Sequence, residues 1–319
     1  MATPTKQAAS TPKTKTKRKP APPWAKTAAA VAAVIVLLLV VFLLAKWLRT
    51  LPAAESFLLQ YPGHTELPET APTGLPSWLG WQHFLNAFFM VLIIRTGWQV
   101  RTTARPKAYW TRNNKGLVRT KNPPKKISLD LWLHQCLDAL WVINGLVFIV
   151  LLFTTGQWMR IVPTGWDVVP NALSTALQYA SFDWPTENGW VNYNSLQVLA
   201  YFATVFIAAP LAMITGLRMS GAWPQNAQKL NRIYPVEAAR AIHVPVMIYV
   251  VLFIITHVAL VLLTGAQRNL NHMYASTDDA SWVGFWIFAG SLAVIIAAWF
   301  LARPLFLRPI ASLMGKVSR

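Results

Sequence analysis

The chain has 319 residues, of which 55% are hydrophobic and only 13% charged, whereas a soluble domain carries about a quarter charged residues, so much of its surface is assigned to lipid. Its one cysteine, Cys136, excludes internal disulfides, a Cys-ligated zinc site and a cluster held by four cysteines of this chain. The formal charge of +18 is confined to particular segments rather than spread over one folded face, so no nucleic-acid partner is expected.

Residues 1–26 hold seven basic and no acidic residues among Thr, Pro and Ala. Such a segment buries too little apolar surface to offset its ordering entropy, and is read as a disordered tail. The apolar run at 28–45 follows, inside a segment 27–48 long enough to span, since about 20 helical residues cross the hydrocarbon core. It is read as an uncleaved anchor; a secretory signal peptide is the competing reading, because a basic stretch precedes an apolar one. Five more apolar runs follow at 81–97, 129–153, 196–215, 242–264 and 282–302. Backbone in lipid must satisfy its hydrogen bonds internally, so these are helices. The expected fold is an all-α integral membrane bundle of six transmembrane helices.

Four runs end in Thr-Gly: Thr96-Gly97, Thr155-Gly156, Thr215-Gly216 and Thr264-Gly265. Each glycine is read as a helix C-cap, where the left-handed conformation costs it nothing. An internal repeat accounts for the recurrence equally well. With the N-terminus inside, the inner segments hold twenty-four basic residues: seven before the first span, nine in 101–126, and four each in 218–240 and 303–319. The outer segments hold only Lys46, Arg49, Arg160 and Arg268, with eight of the eleven acids. The positive-inside rule therefore places both termini in the cytoplasm of a multi-pass membrane protein. The outer loop 157–194, rich in Trp, Pro and Asn, is too long to lack structure or purpose. It reads as a short interfacial helix with a tryptophan belt, or as a docking surface for a partner.

Four of the six histidines fall in the spans: His83, His134, His243 and His257. An ionisable group in a bilayer is costly and marks function by default, although a single one also serves as a helix–helix hydrogen bond. Their depths separate the readings. His83 and His257 lie near the outer face, His134 and His243 near the inner one. Fourteen residues turn a helix about 1400°, roughly 40° short of four turns, and advance it about 21 Å. His243 and His257 thus point to one side at two levels. That arrangement offers one axial ligand to each of two stacked haems, with pairs His83–His257 and His134–His243. Zinc, which takes three or four ligands at one site, fits two separated pairs poorly. A proton-coupled transporter or channel using intramembrane histidines is the alternative function, and it calls for a broken helix or further mid-membrane carboxylates.

Supporting residues keep two readings each. Arg240, one turn before His243, is placed for a propionate of the inner haem. Arg95 either reaches that propionate or snorkels to the headgroups. Asn86, one turn after His83, contacts ring or quinone, or bonds to another helix. Asp138 orients His134 or accepts a quinol proton. Gly145 makes room for a porphyrin or for helix packing. His64 and His272 sit in outer loops, His272 being the better candidate for a place near a quinone or the outer haem edge.

The stretch His83-Phe-Leu-Asn86, with Thr96-Gly97 beyond it, and Arg240-Ala-Ile-His243, with His257 fourteen residues on, resemble a known family. It is that of the bacterial di-haem cytochrome b membrane subunits, such as the gamma subunit of formate dehydrogenase and the cytochromes of nickel–iron hydrogenase and thiosulfate reductase. The resemblance covers residues 77–308 and leaves 309–319 as a cytoplasmic tail. It implies two haem b groups on the four histidines and a quinone as electron donor or acceptor. It also implies a redox partner subunit, a molybdenum oxidoreductase or a hydrogenase, joined directly or through an iron–sulfur subunit. The basic tail, the extra first span and the long 101–126 loop depart from the family pattern.

Overall fold

The computed structural model of the chain describes residues 22–115, 123–184, 188–224 and 226–319. Most of the expected tail, residues 1–21, lies outside them, as does part of the long basic loop, residues 116–122. Six helices are long and apolar enough to cross a membrane, as the apolar runs require.

The first, α1 (Pro23–Leu48), starts a few residues before the expected anchor because Pro23 sits in its first turn, where a missing N–H costs nothing. Most of its surface is exposed apolar side chain. It meets the rest of the chain near its end, where Phe42 packs edge-on against Phe182 at 5.2 Å. Arg49 there donates to Ser181 Oγ at 2.9 Å and pairs with Asp183. A short helix α2 (Pro52–Gln60) leads to the second span, α3 (Ser77–Thr102).

Strands β1 (Tyr109–Arg112) and β2 (Lys126–Ser128) come next, then the third span, α4 (Leu129–Thr154). Ser128 caps α4 by accepting from the Leu131 N–H. The 157–194 loop holds a 3-10 turn (Gln157–Arg160) and helix α5 (Val168–Ala180), the short helix expected there. The fourth span is one helical stretch, Ser195–Met219: α6 (Ser195–Phe202), a π segment (Ala203–Ala208) and α7 (Ala209–Met219). Pro210 lacks an N–H for the carbonyl four residues back, and the wider π turn absorbs that lost bond.

After α8 (Gln228–Ile233), the fifth span α9 (Val236–Leu263) runs unbroken through Pro245. Helix α10 (Ala266–Leu270) and a π turn (Asn271–Ala275) precede the last span, α11 (Val283–Leu301). The chain then forms α12 (Pro304–Met314) and β3 (Gly315–Ser318). The boundary expected at 308/309 therefore falls inside a helix. Strand β3 pairs antiparallel with β1, which also pairs with β2. This small sheet docks on α4 and α12 through Ala108, Leu129, Trp132, Leu307 and Ala311, and Trp110 Nε1 donates to the Ala311 carbonyl at 3.0 Å. It closes the end of the bundle that carries the basic segments.

The opposite end is closed by loops gathered on Arg160, which is only 1% exposed. Its guanidinium donates to the carbonyls of Gly189 at 2.6 Å, Trp190 at 3.0 Å, Gly74 at 3.4 Å and Pro72 at 3.5 Å. It also lies 4.8 Å from the Tyr193 ring centre. Burial pushes the Tyr193 hydroxyl above its usual range, partly offset by that guanidinium.

Candidate metal centres

At the end capped by Arg160, His83 of α3 and His257 of α9 face each other with ring centres 6.1 Å apart. Two imidazole nitrogens each about 2 Å from one metal ion, plus about 1 Å from nitrogen to ring centre at each end, give about 6 Å. The separation therefore fits a single bis-imidazole iron. Aromatic side chains fix both rings. Phe253, one turn before His257, stacks on it at 5.6 Å and 6°, and Tyr201 meets it edge-on at 6.0 Å. Tyr274 approaches His83 edge-on at 5.6 Å, with its hydroxyl 3.3 Å from Nδ1. Burial pushes that hydroxyl up to about 12, so it stays neutral.

At the basic end, His134 of α4 and His243 of α9 are held by one repeated device. His134 Nδ1 lies 2.9 Å from Thr96 Oγ1, and His243 Nδ1 lies 2.8 Å from Thr215 Oγ1. Each threonine hydroxyl already donates one turn back along its own helix, Thr96 to the Leu92 carbonyl at 2.8 Å and Thr215 to that of Leu211 at 2.6 Å. With its proton committed, each oxygen accepts, so Nδ1–H of each histidine must donate. The tautomer follows: Nε2 carries the lone pair a metal needs. The neighbouring glycine of α3 makes space for the His134 ring, whereas a Cβ at that of α7 would be in ordinary contact. A Cβ on Gly97 would stand 3.2 Å from His134 Cε1, and one on Gly216 3.8 Å from His243 Cε1.

Half of the Thr-Gly readings are thereby corrected. Gly156 and Gly265 do have positive φ, +74° and +127°, and end α4 and α9. Thr96-Gly97 and Thr215-Gly216 instead lie inside α3 and α7 and seat a histidine of the following span. The outer Thr-Gly stands 21 residues beyond its histidine in both cases, Thr155 after His134 and Thr264 after His243. The helix pairs α3–α4 and α7–α9 share this seat and this spacing.

The other candidate residues are distributed as follows. Asn86 accepts from Trp141 Nε1 at 2.7 Å, the helix–helix bond that was the simpler of its two readings. Asp138 Oδ2 is 3.6 Å from His134 Nε2, beyond hydrogen-bond reach; Thr96, not Asp138, orients that ring. Gly145 has open space beside it among the described residues, so close helix packing is not its role. Arg240 is exposed at the start of α9. Arg95 lines a cavity at the basic end, its guanidinium 5.1 Å from the Trp299 ring centre. His64 is exposed. His272 is buried, its Nε2 2.7 Å from Asp278 and its ring 5.5 Å from that of Trp190. Asp278 also accepts from Arg268 at 2.8 Å and Asn188 at 3.1 Å. Those bonds, Arg268 foremost, hold its carboxyl well below the usual carboxylate range. Tyr274, two residues beyond His272, is the residue that reaches the His83 ring.

Among the described residues, no group of three or more His, Cys, Asp or Glu side chains is placed to hold a metal ion. The family described as prokaryotic cytochrome b561 matches residues 74–275, well over half of the chain, including all four intramembrane histidines and both threonine seats. A protein of Azospira oryzae named as protein-methionine-sulfoxide reductase subunit YedZ1 is 26% identical over 200 residues, 59% of this chain and 89% of that relative. No solved structure matches the chain.

Proposed function

The chain belongs to the prokaryotic cytochrome b561 family, and from that premise we propose that it carries two b-type haems, one between His83 and His257 and one between His134 and His243. It passes electrons between a redox partner subunit and the quinone pool. Family membership and six apolar helices make it a multi-pass membrane protein that binds haem b and transfers electrons. The number of haems, their ligands, the quinone and the partner are the finer reading.

The observation that carries this reading is the 6.1 Å separation of the His83 and His257 rings on two different spans. When bound, haem supplies one-electron chemistry at its iron. The chain's own residues do the rest. Each histidine would offer a ring nitrogen to the iron; Thr96 and Thr215 hold the tautomer that leaves Nε2 of His134 and His243 free, and Phe253 and Tyr201 pack on the His257 ring. Arg240 supplies a cation for a propionate at the basic end. The basic end faces the cytoplasm of a bacterial inner membrane, in keeping with the positive-inside rule. The relative's name supports a reductase as the partner; a molybdenum oxidoreductase or a hydrogenase, joined directly or through an iron–sulfur subunit, is the wider expectation.

A dithionite-reduced minus oxidised spectrum of the purified protein, with pyridine haemochrome quantitation, tests this. The expected result is a b-type alpha band and about two haems per chain. A colourless protein from cells supplied with haem would sink the reading and favour the proton-coupled transporter. Thr96→Val and Thr215→Val keep side-chain volume and remove the acceptor of each Nδ1–H. Each should weaken haem retention at the basic end about 10–100-fold, measured by transfer to excess apomyoglobin, and leave the other haem in place.

A further inference from the structure

A cavity of about 400 Å³ opens at the basic end, between the inner ends of α3 and α11 and the starts of α4 and α12. Arg95, Lys107 and Arg303 line it, with Asp130 the one acid among its described lining residues. Two of its polar groups are buried without a hydrogen-bond partner among the described residues: Arg95 Nη1 and Gln99 Oε1. Arg95 is held in place from behind by the Trp299 ring, and Arg303 lies 5.5 Å from the Phe300 ring centre. Helix α12 starts at the cavity wall, at Pro304, with no acidic residue in its first turn, so its positive dipole end adds to the same field.

Three cations against one carboxylate leave a net positive charge at the cavity, with Arg95 partly buried inside it and Lys107 and Arg303 exposed at its mouth. An anion with several oxygens relieves this. Guanidinium groups bind phosphate through paired N–H donors, and the Gln99 side chain can turn its amide N–H towards the same group. Depth narrows the choice further. Arg95 lies eighteen residues beyond Ser77, about 27 Å along α3, which is close to the roughly 30 Å thickness of the hydrocarbon core. The cavity is therefore at headgroup level. Beside it, α12 buries Leu307 and Ala311 and exposes Leu305 at 75%, Ile310 at 54% and Leu313 at 87%, the signature of a helix lying in the lipid interface.

We propose that this cavity binds one phosphate-bearing anion, with the headgroup of an anionic phospholipid as the source that the adjoining apolar face of α12 favours. None of the four histidines lines the cavity. The experiment uses the full-length protein, delipidated in detergent, then mixed with phosphatidylglycerol, phosphatidylcholine or inorganic phosphate. Native mass spectrometry reads bound lipid, and thermal unfolding reads stabilisation. The expected result is one retained phosphatidylglycerol per chain, preferred at least about tenfold over phosphatidylcholine. Arg95→Gln with Arg303→Gln should lose that preference, while Lys229→Gln with Arg232→Gln, equal in charge but on α8, should keep it. Arg303→Gln alone, at an exposed position, serves if the Arg95 variant does not fold. Stabilisation by inorganic phosphate equal to that by phosphatidylglycerol, lost in the same variant, supports the site with a soluble anion as its source. Equal retention of both lipids with no effect of phosphate, or full preference kept in the Arg95/Arg303 variant, overturns the proposal.

Discussion

His83→Ala and His257→Ala each take the purified protein from about two haems per chain to about one, and the double variant holds as much haem as either single one. Both changes empty the same centre, because a low-spin haem needs two axial ligands in line and the two rings face each other across 6.1 Å. Alanine is the best helix former, so α3 and α9 persist. The pair at the basic end keeps its own supports, Thr96 on α3 and Thr215 on α7. His134→Ala and His243→Ala should remove the other haem, again without adding to each other. Pyridine haemochrome quantitation and a redox titration followed at the alpha band provide the check. A double His83/His257 variant with no haem would show that the pairing is wrong, and single variants that retain both haems would show that these histidines are not ligands.

Arg160→Met costs about 3–5 kcal/mol and loosens the end of the bundle that carries His83 and His257. The guanidinium donates to four carbonyls from two separate parts of the loop structure, 72–74 and 189–190. Methionine fills similar space and donates nothing. Of those carbonyls, Gly74 keeps a donor in Gln157 Nε2 at 3.1 Å and Trp190 keeps the Gly74 N–H at 3.0 Å; those of Pro72 and Gly189 lose their side-chain donor, each at about 1–3 kcal/mol. Near 2–4 °C per kcal/mol for a chain of this size, the unfolding midpoint should fall by about 10 °C, followed by circular dichroism at 222 nm. Trp190, whose carbonyl is one of the four, packs on His272, and Tyr274 two residues further touches His83. The haem at that end should consequently be lost at a lower temperature than its counterpart, seen as a two-step decay of the Soret band. A midpoint within about 2 °C of the parent would mean the carbonyls find water instead.

The spans and the four histidines could be read from the sequence because both signals are local: apolar length for the spans, and an ionisable side chain inside an apolar run for the sites. The seats of the histidines could not. Thr96-Gly97 looks like Thr155-Gly156 in sequence, yet α3 continues to Thr102 while α4 stops at Thr154. Polar residues follow both, and only the tertiary position of His134 distinguishes a seat from a cap. Asn86 and Asp138 were equally ambiguous, since a partner one turn away on the same helix and one across on the next helix leave the same trace in sequence. The β1–β2–β3 sheet escaped notice because strands of three or four residues carry no periodicity, and β3 finds its partner some two hundred residues earlier. Arg160 read as one of four outer cations in a topology count; its partners are main-chain carbonyls, which no side-chain pattern reveals.

Helix α9 provides one histidine to each pair, fourteen residues apart, and stays a single helix between them. The two centres therefore share one rigid rod whose rotation and depth both must accept. On the proposed two-haem reading, seating the first haem would fix that rod, so the second would meet a ligand already in place and be spared part of the ordering entropy. Haem loading is on this account cooperative, and by reciprocity each haem tightens the other by the same factor. In a cell short of haem, the protein would then divide into fully loaded and haem-free chains, with half-loaded ones scarce.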